Sequence, residues 1–237
     1  MPEILGNFED LEFSDLQKDF VSFAVQNYTQ QLDASNDPIK EKVGAMYNVI
    51  DEINQETLYK EGEQHPSCFK GCAHCCHIMV ACTEWEAITA LEYMNHIGLK
   101  FEKEDIQKLE SQASVKLDSD YMVHPDRRCV FLGKDNLCQI YEARPSACRN
   151  YFVFSPPDEC DTFKQVGAGK VLTNFNLDTI APIITLMEKS SLASFPSHIV
   201  NLLKTEKYKT NVLRDSENAG PGDTPECQLH TGEQSKE

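Results

Sequence analysis

Apolar positions recur at helical spacing through the first part of the chain. "SDLQKDFVSFAVQNYTQQL" opens with Ser14 and Gln17 at the spacing of a capping box, and Leu16, Phe20, Phe23, Ala24 and Tyr28 share one face. "NDPIKEKVGAMYNVIDEIN" offers Asp37 as an N-cap and Pro38 as the first helical residue, with Ile39, Val43, Met46, Ile50 and Ile53 in one stripe. Both stripes predict core-facing helices. Further on, "HIMVA" is a short apolar run that suits a strand. Thr83 and Glu86 form a second capping box before "EWEAITALEYMNHIG", and Gly98 is placed to end that helix. "EKEDIQKLESQASVKL" predicts a more polar helix with Ile106, Leu109, Ala113 and Leu117 inward.

The period then changes. "CVFL" and "CQIY" are β-type runs joined by "GKDNL", which predicts a hairpin carrying Cys129 and Cys138 on its arms. Pro145 is set to begin a short helical turn. Two more helices are expected, in "LDTIAPIITLMEKSSL", where Asp178 caps and Pro182 sits in the first turn, and in "SHIVNLLKTEKY". From about Arg214 the chain is polar, acidic and rich in Gly and Pro, a composition expected to stay disordered. The fold class expected is mainly α with a small β-hairpin, a compact helical domain organised around a cysteine-rich site. Its expected parts are a helical pair (1–61), a cysteine-rich core (62–160), C-terminal helices packing on that core (161–208) and an acidic tail (209–237).

Composition narrows the function. The chain has 237 residues, 41% of them hydrophobic, enough for a real core. No apolar run approaches the ~20 residues of a membrane helix. The opening "MPEILGNFEDLEF" is acidic and lacks a basic stretch followed by an apolar one, so a cytoplasmic location is expected. A net charge of −16 opposes binding to a phosphate backbone. Neither nucleic acid nor membrane is an expected partner; a protein partner or substrate stays unidentified.

Ten cysteines change the picture again. In a reducing compartment they point to metal or redox chemistry rather than structural disulfides. Seven fall in two groups: Cys68, Cys72, Cys75 and Cys76, then Cys129, Cys138 and Cys148. If both groups serve one metal site they must meet in space, as the separated knuckles of a zinc ribbon do. Seven thiols exceed what one structural zinc needs. Two thiolate-bridged ions, a [4Fe–4S] cluster, or an ion with an open position all suit sulfur ligands. Lys70, Arg127, Arg128, Arg144 and Arg149 lie close in sequence to these cysteines and could offset thiolate charge. Cys160 is a secondary candidate for an eighth ligand. Cys82 reads as a buried apolar residue and Cys227 as a free thiol in the tail. His74 and His77 read as outer partners or exposed side chains rather than ligands, and Tyr141 and Tyr151 as packing residues.

The ordered set Cys68, Cys72, Cys75–Cys76, "CVFL", "CQIYEARPSAC" and "RNY" resembles the bacterial CxxCxxCC family of zinc- or iron-chelating proteins, the YkgJ-type cysteine cluster proteins. That family has a cysteine-rich opening, a C-x-F-L element and a C-x-I-Y-x-x-R-P-x-x-C-R element, and the likeness covers roughly residues 65 to 155. One departure is the three residues between Cys68 and Cys72, where the family motif has two. Gly71 is expected to let the turn take the extra residue. The resemblance implies metal binding by these cysteines, with zinc, iron or an iron–sulfur cluster. A related pattern in flagellin lysine-N-methylases adds an iron–sulfur-dependent modifying enzyme as one alternative. A zinc-stabilised protein-interaction module is the other.

Overall fold

The computed structural model describes residues 38–58, 65–115, 126–154, 156–160 and 192–212. The helix expected at 14–32, that expected at 177–192 except Leu192, which opens a strand, and the tail beyond 212 lie outside the described residues, while 209–212, expected as the start of the tail, are helical. What is described is mostly helical, with one small antiparallel sheet. The helices are α1 (Pro38–Leu58), α2 (Glu84–His96), α3 (Lys103–Ala113), α4 (Ser146–Arg149, a single turn), α5 (Phe195–Leu203) and α6 (Glu206–Val212). The strands are β1 (Ala81–Thr83) and β2 (Leu192–Ser194). No described helix is long and apolar enough to cross a membrane.

Local sequence sets the helix ends. Thr83 and Glu86 make the expected capping box at the start of α2. At its end Gly98 has φ 71°, its N–H reaches Asn95 O at 3.2 Å and Leu99 N–H reaches Met94 O at 2.9 Å. That pair of bonds is a Schellman motif, which needs a left-handed residue where Gly98 stands. α1 begins at Pro38 as expected, and its Val43, Met46 and Ile50 are buried. α3 ends at Ala113 and buries Leu109 and Gln112, while Leu117 lies outside the described residues. The C-terminal stretch expected as one helix is two, because Thr205 turns back on Leu202 through both its N–H (2.9 Å) and its hydroxyl (2.6 Å).

The sheet meets the sequence expectation only at one edge, since "HIMVA" ends at Ala81, the first residue of β1. β1 pairs with β2 in the register Ala81↔Ser194, Cys82↔Ala193 and Thr83↔Leu192. Each strand runs directly into a helix whose N-cap it supplies, Thr83 for α2 and Ser194 for α5. The hairpin expected at 129–141 is instead a looped segment closed by one isolated antiparallel bridge, Leu132↔Cys138. The physical reason is that its apolar residues anchor downward rather than pair sideways. Phe131 and Ile140 are each 1% exposed and belong to the same core as Leu91, Met94, Leu109 and Ile199. Phe131 lies between Phe101 and Phe195, with ring centroids 5.5 Å from each. Burying such a ring is worth roughly 3 kcal/mol. The core of α2, α3 and α5 therefore holds the cysteine-bearing loop by its aromatic and aliphatic side chains, leaving the thiols at its upper edge.

Candidate metal centre

The first cysteine group sits on a turn followed by a short 3-10 segment, His74–His77. Cys72 N–H closes on Phe69 O at 2.9 Å, and Gly71 between them has φ 90°. A type II turn requires positive φ at its third residue, so Gly71 accommodates the additional residue as expected. The other cysteines attach to this knuckle at two seams. Cys129 N–H donates to Cys76 O at 2.8 Å, joining the second group directly to the first. Ser67 N–H donates to Val153 O at 2.7 Å, and the turn Pro157–Cys160 packs against His74–His77.

Seven cysteines of the two groups thus share one neighbourhood, and Cys160 joins them. Burial raises the thiols of Cys68, Cys129, Cys138, Cys148 and Cys160, and negative charge at Cys75 raises each further. The shift carries Cys129 up to about 12 and Cys160 to about 11. The adjacent thiols of Cys75 and Cys76 hydrogen-bond to each other, which lowers Cys75 and holds Cys76 protonated. Cys75 is the hub, since its charge is felt in both cysteine groups. Among the described residues, no three His, Cys, Asp or Glu side chains stand in an ion-holding arrangement. The donor set nevertheless suits a thiophilic ion, being sulfur-rich, partly buried and gathered from distant segments. Cys82 lies 1% exposed in the core, below Cys148.

The cations divide into two that act on the thiols, Arg144 and Lys108, and others that build the scaffold. Arg144 lowers Cys68, Cys75, Cys138 and Cys148 by its positive charge. Its guanidinium lies 4.0 Å over the exposed Tyr141 ring, and its buried Nε has no hydrogen-bond partner. Lys108, on α3, lowers Cys129, a contribution that the sequence did not suggest. Arg128 instead donates to Leu132 O (3.2 Å) and Gly133 O (2.8 Å), tying the loop between Cys129 and Cys138. Arg149 faces α1: it pairs with Asp51 at 2.7 Å, stacks 4.0 Å over Tyr47, and donates to Arg144 O (3.2 Å) and Glu142 O. Lys70 is exposed.

Two further polar groups fix the cysteine segments. Gln112 on α3 donates to Asp126 O (2.7 Å) and Arg128 O (3.1 Å), holding the chain just before Cys129. Glu86 is fully buried and accepts from Thr83 N–H at 2.8 Å and from Ser146 N–H at 2.6 Å. One carboxylate therefore meets the N-terminal turns of α2 and α4, where helix ends favour negative charge. Only the first half of this role was legible as a capping box. His77 donates Nδ1–H to Ala73 O at 3.0 Å, which keeps its ring against its own turn.

Residues 67–168 match the family model CxxCxxCC, described as a "putative zinc- or iron-chelating domain". No curated protein and no solved structure matches the chain. The matched segment contains both cysteine groups and Cys160, so the central part of this chain is similar to a CxxCxxCC domain.

Proposed function

We propose that this domain binds zinc or iron through thiolates, with Cys68, Cys72, Cys75, Cys76, Cys129, Cys138 and Cys148 as ligands. The observation that carries the reading is the meeting of two remote cysteine groups around Cys75, with the seam Cys129 N–H to Cys76 O at 2.8 Å holding them together. Such a gathering of partly buried thiols costs desolvation whenever they ionise, and a divalent cation offsets that cost. Four thiolates around a divalent ion leave a net negative charge, and Arg144 is placed to reduce it. Because burial raises most of these thiols, binding has to displace protons, so affinity rises with pH. When bound, zinc would cross-link the two groups, whereas iron would add a redox couple.

The test is metal analysis of protein purified anaerobically and without added metal. Near-stoichiometric zinc or iron, lost when Cys75 and Cys129 are both replaced by Ser, is the expected result. Wild-type protein that holds neither metal, and takes up neither after reduction, would sink the reading.

A further inference from the structure

We propose that Arg144, laid on Tyr141, is a binding site for the carboxylate of a small organic acid at the rim of the cysteine centre. The site goes beyond metal binding and does not depend on it.

Arg144 carries a guanidinium whose donors are unspent. Arg128 and Arg149 give theirs to Leu132 O, Gly133 O, Arg144 O, Glu142 O and Asp51. Arg144 differs. Its Nε is buried and has no hydrogen-bond partner, and among the described residues no acceptor takes its terminal nitrogens. Glu142, two residues away, is exposed and does not pair with it. Enclosing part of a charged donor group with no acceptor costs desolvation and returns nothing to the fold, so a partner from outside the chain accounts for it best.

The fork is nevertheless held still. Its central carbon lies 4.0 Å from the centroid of the Tyr141 ring. The turn Tyr141–Ala143 beneath it is fastened at both ends. Ala143 N–H donates to Ile140 O at 2.9 Å, with Ile140 1% exposed in the core, and Arg144 O accepts from Arg149 Nε at 3.2 Å. Arg149 is in turn paired with Asp51. Arg144 as a whole is only half-buried, so with Nε enclosed its far end, Nη1 and Nη2, is the part that faces outward. Two parallel N–H donors on a rigid support take a carboxylate in two hydrogen bonds, with little side-chain freedom left to lose. The Tyr141 ring stays 54% exposed, which leaves an apolar surface for the ligand's carbon skeleton.

Charge selects the anion. The chain carries −16, and thiols lie on either side of this turn in sequence, at Cys138 and Cys148. One guanidinium balances a monoanionic carboxylate, whereas a phosphate dianion would bring surplus charge. The positive charge that Arg144 lends to the thiols acts through space and uses none of its N–H groups.

The experiment titrates sodium acetate into the reduced, metal-free full chain carrying isotope-labelled arginine, at an ionic strength held constant with chloride, and follows the arginine N–H resonances. Arg144 is expected to shift saturably in the millimolar range while the other arginines stay still, and inorganic phosphate should need a several-fold higher concentration. Tyr141→Leu should weaken acetate about two- to fivefold, the worth of an exposed contact between a cation and a ring. Arg144→Lys keeps the charge but not the fork, and should lose the line broadening that wild-type protein gives to labelled acetate. The absence of a saturable Arg144 shift, an equal response to phosphate or chloride, or full acetate broadening by Arg144→Lys would each overturn the proposal. If Arg144→Lys does not fold, the Arg144 resonance is recognised by its response to Tyr141→Leu, and the wild-type titration decides. No metal is present, so a failure here leaves the thiolate reading intact, and a chain that takes up no metal could still bind acetate.

Discussion

Replacing Glu86 should be among the most damaging single changes outside the cysteines. Its side chain is completely buried, yet it is not an unpaired charge. Oε2 accepts from Thr83 N–H at 2.8 Å and Oε1 from Ser146 N–H at 2.6 Å, while Glu86 N–H donates to Thr83 Oγ1 at 3.1 Å. Hydrogen bonds to a charged group contribute about 1.5–3 kcal/mol each, and a buried amide left without a partner costs about 1–3 kcal/mol. Glu86→Ala removes both acceptors and leaves a cavity, so a loss of roughly 4–6 kcal/mol is expected. Glu86→Gln keeps one carbonyl oxygen but turns an amide N–H toward the second backbone donor. It should cost roughly 2–3 kcal/mol.

A control separates this bridge from ordinary capping. Thr83→Ala removes only the side-chain cap of α2 and should cost about 1 kcal/mol. Urea unfolding of the metal-free, reduced protein gives all three values on one scale. Ser146→Pro adds a direct probe of the long-range bond. Pro145 already has φ −56° and ψ 155°, a conformation that a following proline favours, and the first helical position tolerates proline. The change therefore deletes one donor with little backbone strain. Glu86→Ala should lose far less stability when combined with Ser146→Pro than alone. If Glu86→Ala costs no more than Thr83→Ala, the carboxylate does not bridge the two helices and the argument fails.

Three other outcomes follow from the same geometry. Arg144→Gln should weaken zinc or Co²⁺ binding about tenfold in a chelator competition, with Arg144→Lys recovering part of it; unchanged affinity would remove Arg144 as counter-cation. Metal-free protein should lose stability as pH rises from 9.0, the ordinary thiol value, toward about 12 for Cys129 and about 11 for Cys160. The sign follows because folded thiols keep their protons longer than unfolded ones, so the unfolded chain ionises first; urea midpoints that rise between pH 8 and 10 would contradict it. Phe131→Ala should cost about 3–5 kcal/mol and loosen Cys129 with it, seen as faster thiol modification of the metal-free protein; a loss under about 1 kcal/mol would refute the anchor.

Local signals in the sequence reported local structure well. The capping box at Thr83 and Glu86, Pro38 opening α1, and Gly98 closing α2 all depend on residues within one helical turn of each other. The same logic explains Gly71, whose positive φ closes the turn between Cys68 and Cys72. What failed was inference from apolar runs whose partners are distant. "CVFL" and "CQIY" look like strands because so short a β-type run cannot distinguish pairing from anchoring. Phe131 and Ile140 are buried against α2, α3 and α5, and the backbone is free to loop. The real sheet joins residues 81–83 to 192–194, and no short window contains both.

The motif around the second cysteine group also divides differently from what its spelling suggests. Arginine beside cysteine invites an electrostatic reading, and for Arg144 the geometry agrees. Arg149 differs because its partners are on another helix. Asp51, Tyr47 and two carbonyls take its guanidinium, and Asn54 Nδ2 donates to its backbone carbonyl at 3.3 Å. Its task is to fasten the Cys148 turn to α1. Glu86 fastens the same turn to α2, and Phe131 fastens the Cys129 loop to the core. The non-cysteine letters of the motif are therefore mostly struts. A thiol cluster whose members repel on ionisation cannot gather itself in the absence of metal, so the scaffold must hold the sulfurs near one another first. That requirement accounts for why the cysteine spacing was readable in the sequence while the residues enforcing it became visible only in the fold.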